Sequence, residues 1–137
     1  MTTAPGAEKP TLFLAEDEEG TVILLKFILA RGGYTVVHAA DGQQAHTMID
    51  QMPPPALVLL DIMLPYLNGL QLLAHIRQKA EWQHVPIIML TADSNERDIQ
   101  QALAAGASDY MVKPFNPREL TARLQRFLTV QIGKAHV

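Results

Sequence analysis

The sequence predicts an α/β fold of the (βα)5 kind: a doubly wound, five-stranded parallel sheet, flavodoxin-like, with helices on both faces. Three observations predict it. Five apolar runs of strand length alternate with segments of helical period. Four of those runs are continuously apolar, as strands buried on both faces require. The chain has 137 residues, 48% of them hydrophobic, which is the core of one domain and leaves no room for a second of ordinary size.

Taken in order, residues 1–10 read as a flexible leader, 11–131 as the folded domain and 132–137 as a short C-terminal tail. The starting methionine with its own leader points to a native N-terminus, and the chain reads as either a stand-alone domain or one cut from a longer protein. The first strand is expected over 12–15. In the helix after it, Val22, Leu25 and Leu29 share one face, and Gly32-Gly33 offer a left-handed stop. The second strand covers 34–38. Asp41 then suits the N-cap of a helix carrying Ala45, Met48, Ile49 and Met52, which Pro53-Pro54-Pro55 ends.

The third strand is expected over 57–60, and Gly69 opens a helix that turns Leu72, Leu73 and Ile76 inward. Trp82, in AEWQHVP, reads as a loop or helix-end residue packing locally. The fourth strand covers 87–90, and a helix from about residue 95 to 105 is closed by Gly106. After a fifth strand over 110–112, the last helix carries Leu120, Leu124, Phe127 and Leu128 at i, i+4, i+7 and i+8.

Composition excludes several functions. A net charge of −3 gives no basic field for nucleic acid or an anionic membrane. Cysteine is absent, which removes disulfides, thiolate metal sites and cysteine nucleophiles. Neither a secretory h-region nor an apolar stretch of membrane-spanning length occurs, so a soluble, cytoplasmic protein is expected. His38, His46, His75, His84 and His136 are scattered without ligand spacing and read as surface or packing residues. The methionines mostly follow core periodicity, and no Walker A, GxGxxG or GxSxG motif is present.

In open α/β sheets, ligands bind outside the carboxyl ends of the strands. The first strand ends in Glu16-Asp17, the third in Asp61, the fourth in Thr91 and the fifth in Lys113-Pro114, whereas the second ends in the chemically quiet His38-Ala39-Ala40. A strand order of 2-1-3-4-5 would bring the four polar ends to one edge. Singly, each residue has an ordinary reading as a cap, a turn residue or a solvated charge. Together they do not. Carboxylates about 4 Å apart repel by about 4 kcal/mol at an effective dielectric near 20, so such a cluster requires cations. Lys113 is one; oxygen ligands alone favour a hard divalent ion, Mg2+ or Mn2+, as the other. A metal, a lysine and a hydroxyl beside a carboxylate suit phosphoryl transfer, in which the carboxylate itself can be the nucleophile.

The motifs LAEDEEG, LVLLDIMLPYLNG, PIIMLTA and GASDYMVKPF, in this order and spacing, closely resemble the receiver domain of two-component response regulators over roughly residues 11 to 129. The resemblance implies that Asp61 accepts the phosphoryl group, that Asp17 and the Met63 carbonyl bind Mg2+ with it, and that Glu16 assists through water or as a second acid. It also implies that Lys113 binds a phosphoryl oxygen beside a cis Lys113-Pro114 peptide, and that Thr91 and Tyr110 form the switch pair. Met63 and Asp93 occupy the positions that tune phosphoryl lifetime.

The implied phosphodonor is a sensor histidine kinase or a histidine phosphotransfer protein, and a downstream protein partner would read the fourth helix, fifth strand and fifth helix. Many such domains dimerise there through paired charges. Asp109 and Arg123 fit one pair, but Ile99 and Ala104 stand where charges are expected, so a homodimer is not the favoured output. A Mg2+-dependent aspartate phosphohydrolase is the alternative; Met63 stands where its second acid belongs, and the chain leaves little room for a cap. A flavodoxin-like cofactor module is further off, because Glu16-Asp17-Glu18-Glu19 would repel a phosphate in the first loop.

Overall fold

The computed structural model describes residues 9–92 and 96–136, with side chains described as far as Leu128. The first eight leader residues and Asp93 lie outside the described residues. Five strands, β1 (Thr11–Ala15), β2 (Thr35–Ala39), β3 (Leu57–Asp61), β4 (Ile87–Thr91) and β5 (Asp109–Val112), alternate with five helices. These are α1 (Glu19–Arg31), α2 (Gly42–Gln51), α3 (Gly69–Arg77), α4 (Glu96–Ala104) and α5 (Pro117–His136). All strand pairs are parallel, in the order β2-β1-β3-β4-β5. That is the expected order, with β3 at the centre between β1 and β4. Among the described residues no helix is long and apolar enough to cross a membrane.

Alternate residues of each strand feed opposite faces of the sheet. On one face Leu12, Leu14, Leu57, Leu59, Ile88 and Leu90 pack with Leu25 and Leu29 of α1 and Leu120, Leu124 and Leu128 of α5. On the other, Phe13, Val58, Leu60, Ile87 and Met89 pack with Ala45 and Ile49 of α2, Leu72, Leu73 and Ile76 of α3, and Ala102 of α4. Each fully buried leucine or isoleucine contributes about 1.5–3 kcal/mol. The inward faces expected of α1, α2, α3 and α5 are the observed ones, with Met48, Met52 and Phe127 half-buried at their margins.

Several boundaries move by a residue. β2 begins at Thr35 and ends at Ala39 instead of running over 34–38, and β5 begins at Asp109. β3 and β4 each keep one residue more than the apolar run, so Asp61 and Thr91 belong to strands and not to the loops after them. A polar side chain does not interrupt a ladder built from backbone groups: Asp61 stands opposite Leu90, and Thr91 opposite Val112. α5 continues through His136, across the stretch where the sequence suggests a tail. Of the Gly32-Gly33 pair, Gly33 takes the left-handed conformation at φ 90°, and Gly32 stays right-handed.

Trp82 is a helix-end residue, as its sequence reading allows, but it does more than pack locally. It ends the 3-10 turn Ala80–Trp82 and is fully buried in the core on the α2/α3 side of the sheet. Arg77 fixes this corner, donating from Nε to the Gly106 carbonyl at 2.9 Å and from Nη1 to the Trp82 carbonyl at 3.0 Å.

Candidate functional site

The site lies at the carboxyl edge of the sheet, because each of its residues ends a strand or directly follows one. β1 carries Glu16 and Asp17 just past Ala15, β3 ends in Asp61, β4 in Thr91, and β5 is followed by Lys113. β1, β3, β4 and β5 are adjacent in that order, so the four ends converge as the sequence requires. Carboxylate oxygens of Glu16, Asp17 and Asp61 all lie within 4.8 Å of one another. Glu16 and Asp61 are buried and Asp17 is exposed, which makes Asp17 the rim of the cluster.

Lys113 is the cation of this cluster. Its Nζ lies 2.6 Å from Glu16 Oε1 and 3.3 Å from Asp61 Oδ2. The closer contact is an ion pair to the fully buried Glu16 carboxylate. Burial pulls the Lys113 ammonium down, but Glu16 and Asp61 outweigh it and hold it above the ordinary lysine value. Glu16 moves the other way in charge: burial, reinforced by Asp61 and only partly opposed by Lys113 and the Glu18 N–H, pushes its pKa up to about 7. One lysine does not neutralise three acids.

Backbone contacts hold the acids in place. The Met63 N–H donates to Asp61 Oδ1 at 3.0 Å, and the Glu18 N–H to Glu16 Oε2 at 3.0 Å. Met63 itself is 70% exposed, so at the loop it contributes backbone more than packing. Asp61's own carbonyl is crowded by α3: a Cβ on Gly69 would sit 2.3 Å from it, so only glycine lets the first turn of that helix pack there. The Lys113 N–H donates to the Thr91 carbonyl at 2.7 Å, tying the ends of β4 and β5. Thr91 is buried and the Tyr110 ring is half-buried against the α2/α3-side core. The Lys113-Pro114 peptide is cis, as the resemblance implies.

Asp109 and Arg123 lie 2.6 Å apart, with Glu119 3.5 Å from the same guanidinium. Two features are not visible in the sequence. His38, on the strand that reads as quiet, holds the Glu16 backbone carbonyl through Nε2 at 2.8 Å, across 22 positions of sequence. His46 and His75, which read as scattered, stack with ring centroids 4.0 Å apart beside Asp50.

A parallel sheet that gathers three carboxylates and a lysine at the mouth of its central strands presents a site suited to phosphoryl transfer onto a carboxylate. The chain belongs to the response regulator receiver domain family, whose model matches residues 12–125. It is 42% identical over 117 residues to the alkaline phosphatase synthesis transcriptional regulatory protein PhoP of Bacillus subtilis (strain 168), covering 85% of this chain and 48% of that protein. It is 40% identical over 119 residues to the phosphate regulon transcriptional regulatory protein PhoB of Rhizobium meliloti (strain 1021), covering 87% of this chain and 52% of that one. The chain thus spans about half the length of the curated relatives it matches.

Among solved structures, the receiver domain of the sensor histidine kinase PA1611 from Pseudomonas aeruginosa PAO1 superposes with a TM-score of 0.81 at 34% identity, covering 88% of this chain and 98% of that one. That structure has a magnesium ion coordinated in its active site cleft. A CheY-like receiver domain protein from Methanospirillum hungatei JF-1 gives a TM-score of 0.84 at 28% identity, covering 92% and 98%. The chain is therefore a phosphoryl-accepting switch module of a two-component system.

Proposed function

We propose that Asp61 is the phosphoacceptor of this switch. The observation that carries the reading is the convergence of Glu16, Asp17 and Asp61 within 4.8 Å around Lys113. A carboxylate oxygen of Asp61 forms the bond to phosphorus as the phosphorus–nitrogen bond of a donor phosphohistidine breaks, and the donor imidazole leaves with that electron pair. Lys113 Nζ, already 3.3 Å from Asp61 Oδ2, neutralises a phosphoryl oxygen.

The residues fit a hard divalent cation. The donors are all oxygen, and among the described residues three acids gather where Lys113 supplies one positive charge. Asp17, Asp61 and the Met63 carbonyl would hold Mg2+, or Mn2+ on the same donors, with Glu16 behind them. Bound there, the ion supplies positive charge against the incoming phosphoryl oxygens. Thr91 and Tyr110 serve as the switch pair: the Thr91 hydroxyl turns to the phosphoryl group and the half-buried Tyr110 ring follows inward, altering the face of α4, β5 and α5. Met63 and Asp93 tune the lifetime of the phosphorylated state.

The donor is a sensor histidine kinase or a histidine phosphotransfer protein, and a downstream protein reads the altered face. Ile23, Leu24 and Phe27 of α1 are exposed apolar residues, and Thr21 and Leu24 share a hollow with Pro114 and Phe115 beside Lys113. A donor helix seated on this apolar face would bring its phosphohistidine to Asp61. The module acts on its own phosphoryl group and not on a pool of external substrate, since Met63 supplies no second acid for repeated hydrolysis. Incubation with acetyl phosphate and Mg2+ should add one phosphoryl group by mass spectrometry, and Asp61→Asn should abolish the addition. Equal labelling of that variant would overturn the assignment.

A further inference from the structure

A second cluster of ligating side chains lies away from the acid pocket, on the outer side of α2 and α3. His46 and Asp50 stand one helical turn apart on α2, and His75 reaches them from α3. His75 Nε2 is 2.7 Å from Asp50 Oδ1, and His46 Nδ1 is 3.7 Å from Asp50 Oδ2, beyond hydrogen-bond length. The two rings are stacked 4.0 Å apart at an interplanar angle of 23°, so both present a nitrogen to one carboxylate from one side. All three side chains are open to solvent, with exposures of 41%, 43% and 26% for His46, Asp50 and His75, so an ion can enter.

Two imidazole nitrogens beside one carboxylate are a ligand set, and a cation among them satisfies all three. We infer that His46 Nδ1, His75 Nε2 and a carboxylate oxygen of Asp50 form a binding site for a borderline divalent cation such as Zn2+, separate from the acid pocket. Imidazole with one carboxylate is the donor set that Zn2+ takes and Mg2+ declines. Tetrahedral Zn2+ bonds of about 2.0–2.1 Å need donors about 3.3 Å apart. The candidate ligand atoms already lie within 4.8 Å of one another, so small side-chain movements would bring them to that spacing. Water completes the shell. Lys79, whose Nζ lies 3.3 Å from Asp50 Oδ1, is the competing cation that the metal displaces. Because the ligands come from two helices, the ion clamps α2 to α3 and raises the melting temperature.

The test is isothermal titration of the whole chain with ZnCl2 in the presence of saturating Mg2+, beside a thermal melt with and without Zn2+. One equivalent should bind and raise the melting temperature. His46→Gln and His75→Gln should each weaken binding roughly tenfold or more, because each removes one of three protein ligands. Asp17→Asn/Asp61→Asn should leave it intact. Both histidines are only partly buried, and a metal-free melt of each variant checks that it still folds. Binding that survives both histidine variants, binding lost in the aspartate pair alone, or no stoichiometric binding would each overturn the site.

Discussion

At Lys113 one ammonium faces two carboxylates of unequal depth. It approaches the fully buried Glu16 to 2.6 Å and Asp61 to 3.3 Å, so it lies closest to the acid most in need of a countercharge. Removing it strands both acids. Lys113→Ala should therefore destabilise the metal-free protein at pH 8 by about 3 kcal/mol, the cost of breaking a buried pair from one side. Added Mg2+ should restore part of that loss. Urea denaturation with chelator and then with Mg2+ measures both. The same change should slow phosphorylation by acetyl phosphate about a hundredfold, as removal of one preorganised electrostatic group does. Glu16, Asp17, Asp61, Thr91 and Lys113 are legible in the sequence because each directly follows or ends an apolar strand run. His38 is not, because its ring meets Glu16 only through the pairing of β2 with β1.

Between elements, the contact that matters most to the site is α3 on the end of β3. A Cβ at Gly69 would meet the Asp61 carbonyl at 2.3 Å and the Ile62 Cα at 2.8 Å, both backbone atoms that cannot swing aside. Gly69→Ala should cost about 2 kcal/mol and slow phosphorylation of Asp61 by displacing its backbone. Gly20→Ala is the control. Nothing lies within 4 Å of its added carbon, so it should be neutral or stabilise α1 by up to about 1 kcal/mol.

A second inter-element contact is Arg77, which links α3 to the Trp82 turn and to the turn between α4 and β5. Arg77→Ala should cost about 2 kcal/mol in a denaturant midpoint without preventing phosphorylation. The inward faces of the helices are plain from their periodicity. The place of Trp82 is not, since AEWQHVP has no period and its burial depends on the core that forms on the α2/α3 side of the sheet.

Over the whole molecule, the raised pKa of Glu16 becomes a dependence of stability on pH. The unfolded chain releases that proton near 4.5, whereas the folded chain holds it to about 7. The favourable contribution is thus complete below pH 4.5 and is lost as pH rises through 7. The shift sets an upper limit of about 3 kcal/mol on the loss. Denaturant unfolding in chelator at pH 4.5, 7 and 8 should show the protein weakening over this window relative to Glu16→Gln, in which the term is absent. Saturating Mg2+ should flatten the difference, since the ion favours the ionised acid.

The sequence by itself determined the number of strands and helices, their order, the inward faces and the identity of the acids, hydroxyl and lysine at the strand ends. It could do so because strand runs and helical periods are local, and because a polar residue closing an apolar run stands out against it. Only the tertiary structure decided that Lys113 sits closer to Glu16 than to Asp61, that α3 presses on the Asp61 backbone, and that His38 braces Glu16. It also decided that His46 and His75, 29 positions apart, stack beside one carboxylate. Those distances depend on how helices seat on a shared sheet face, which packing sets and spacing along the chain does not.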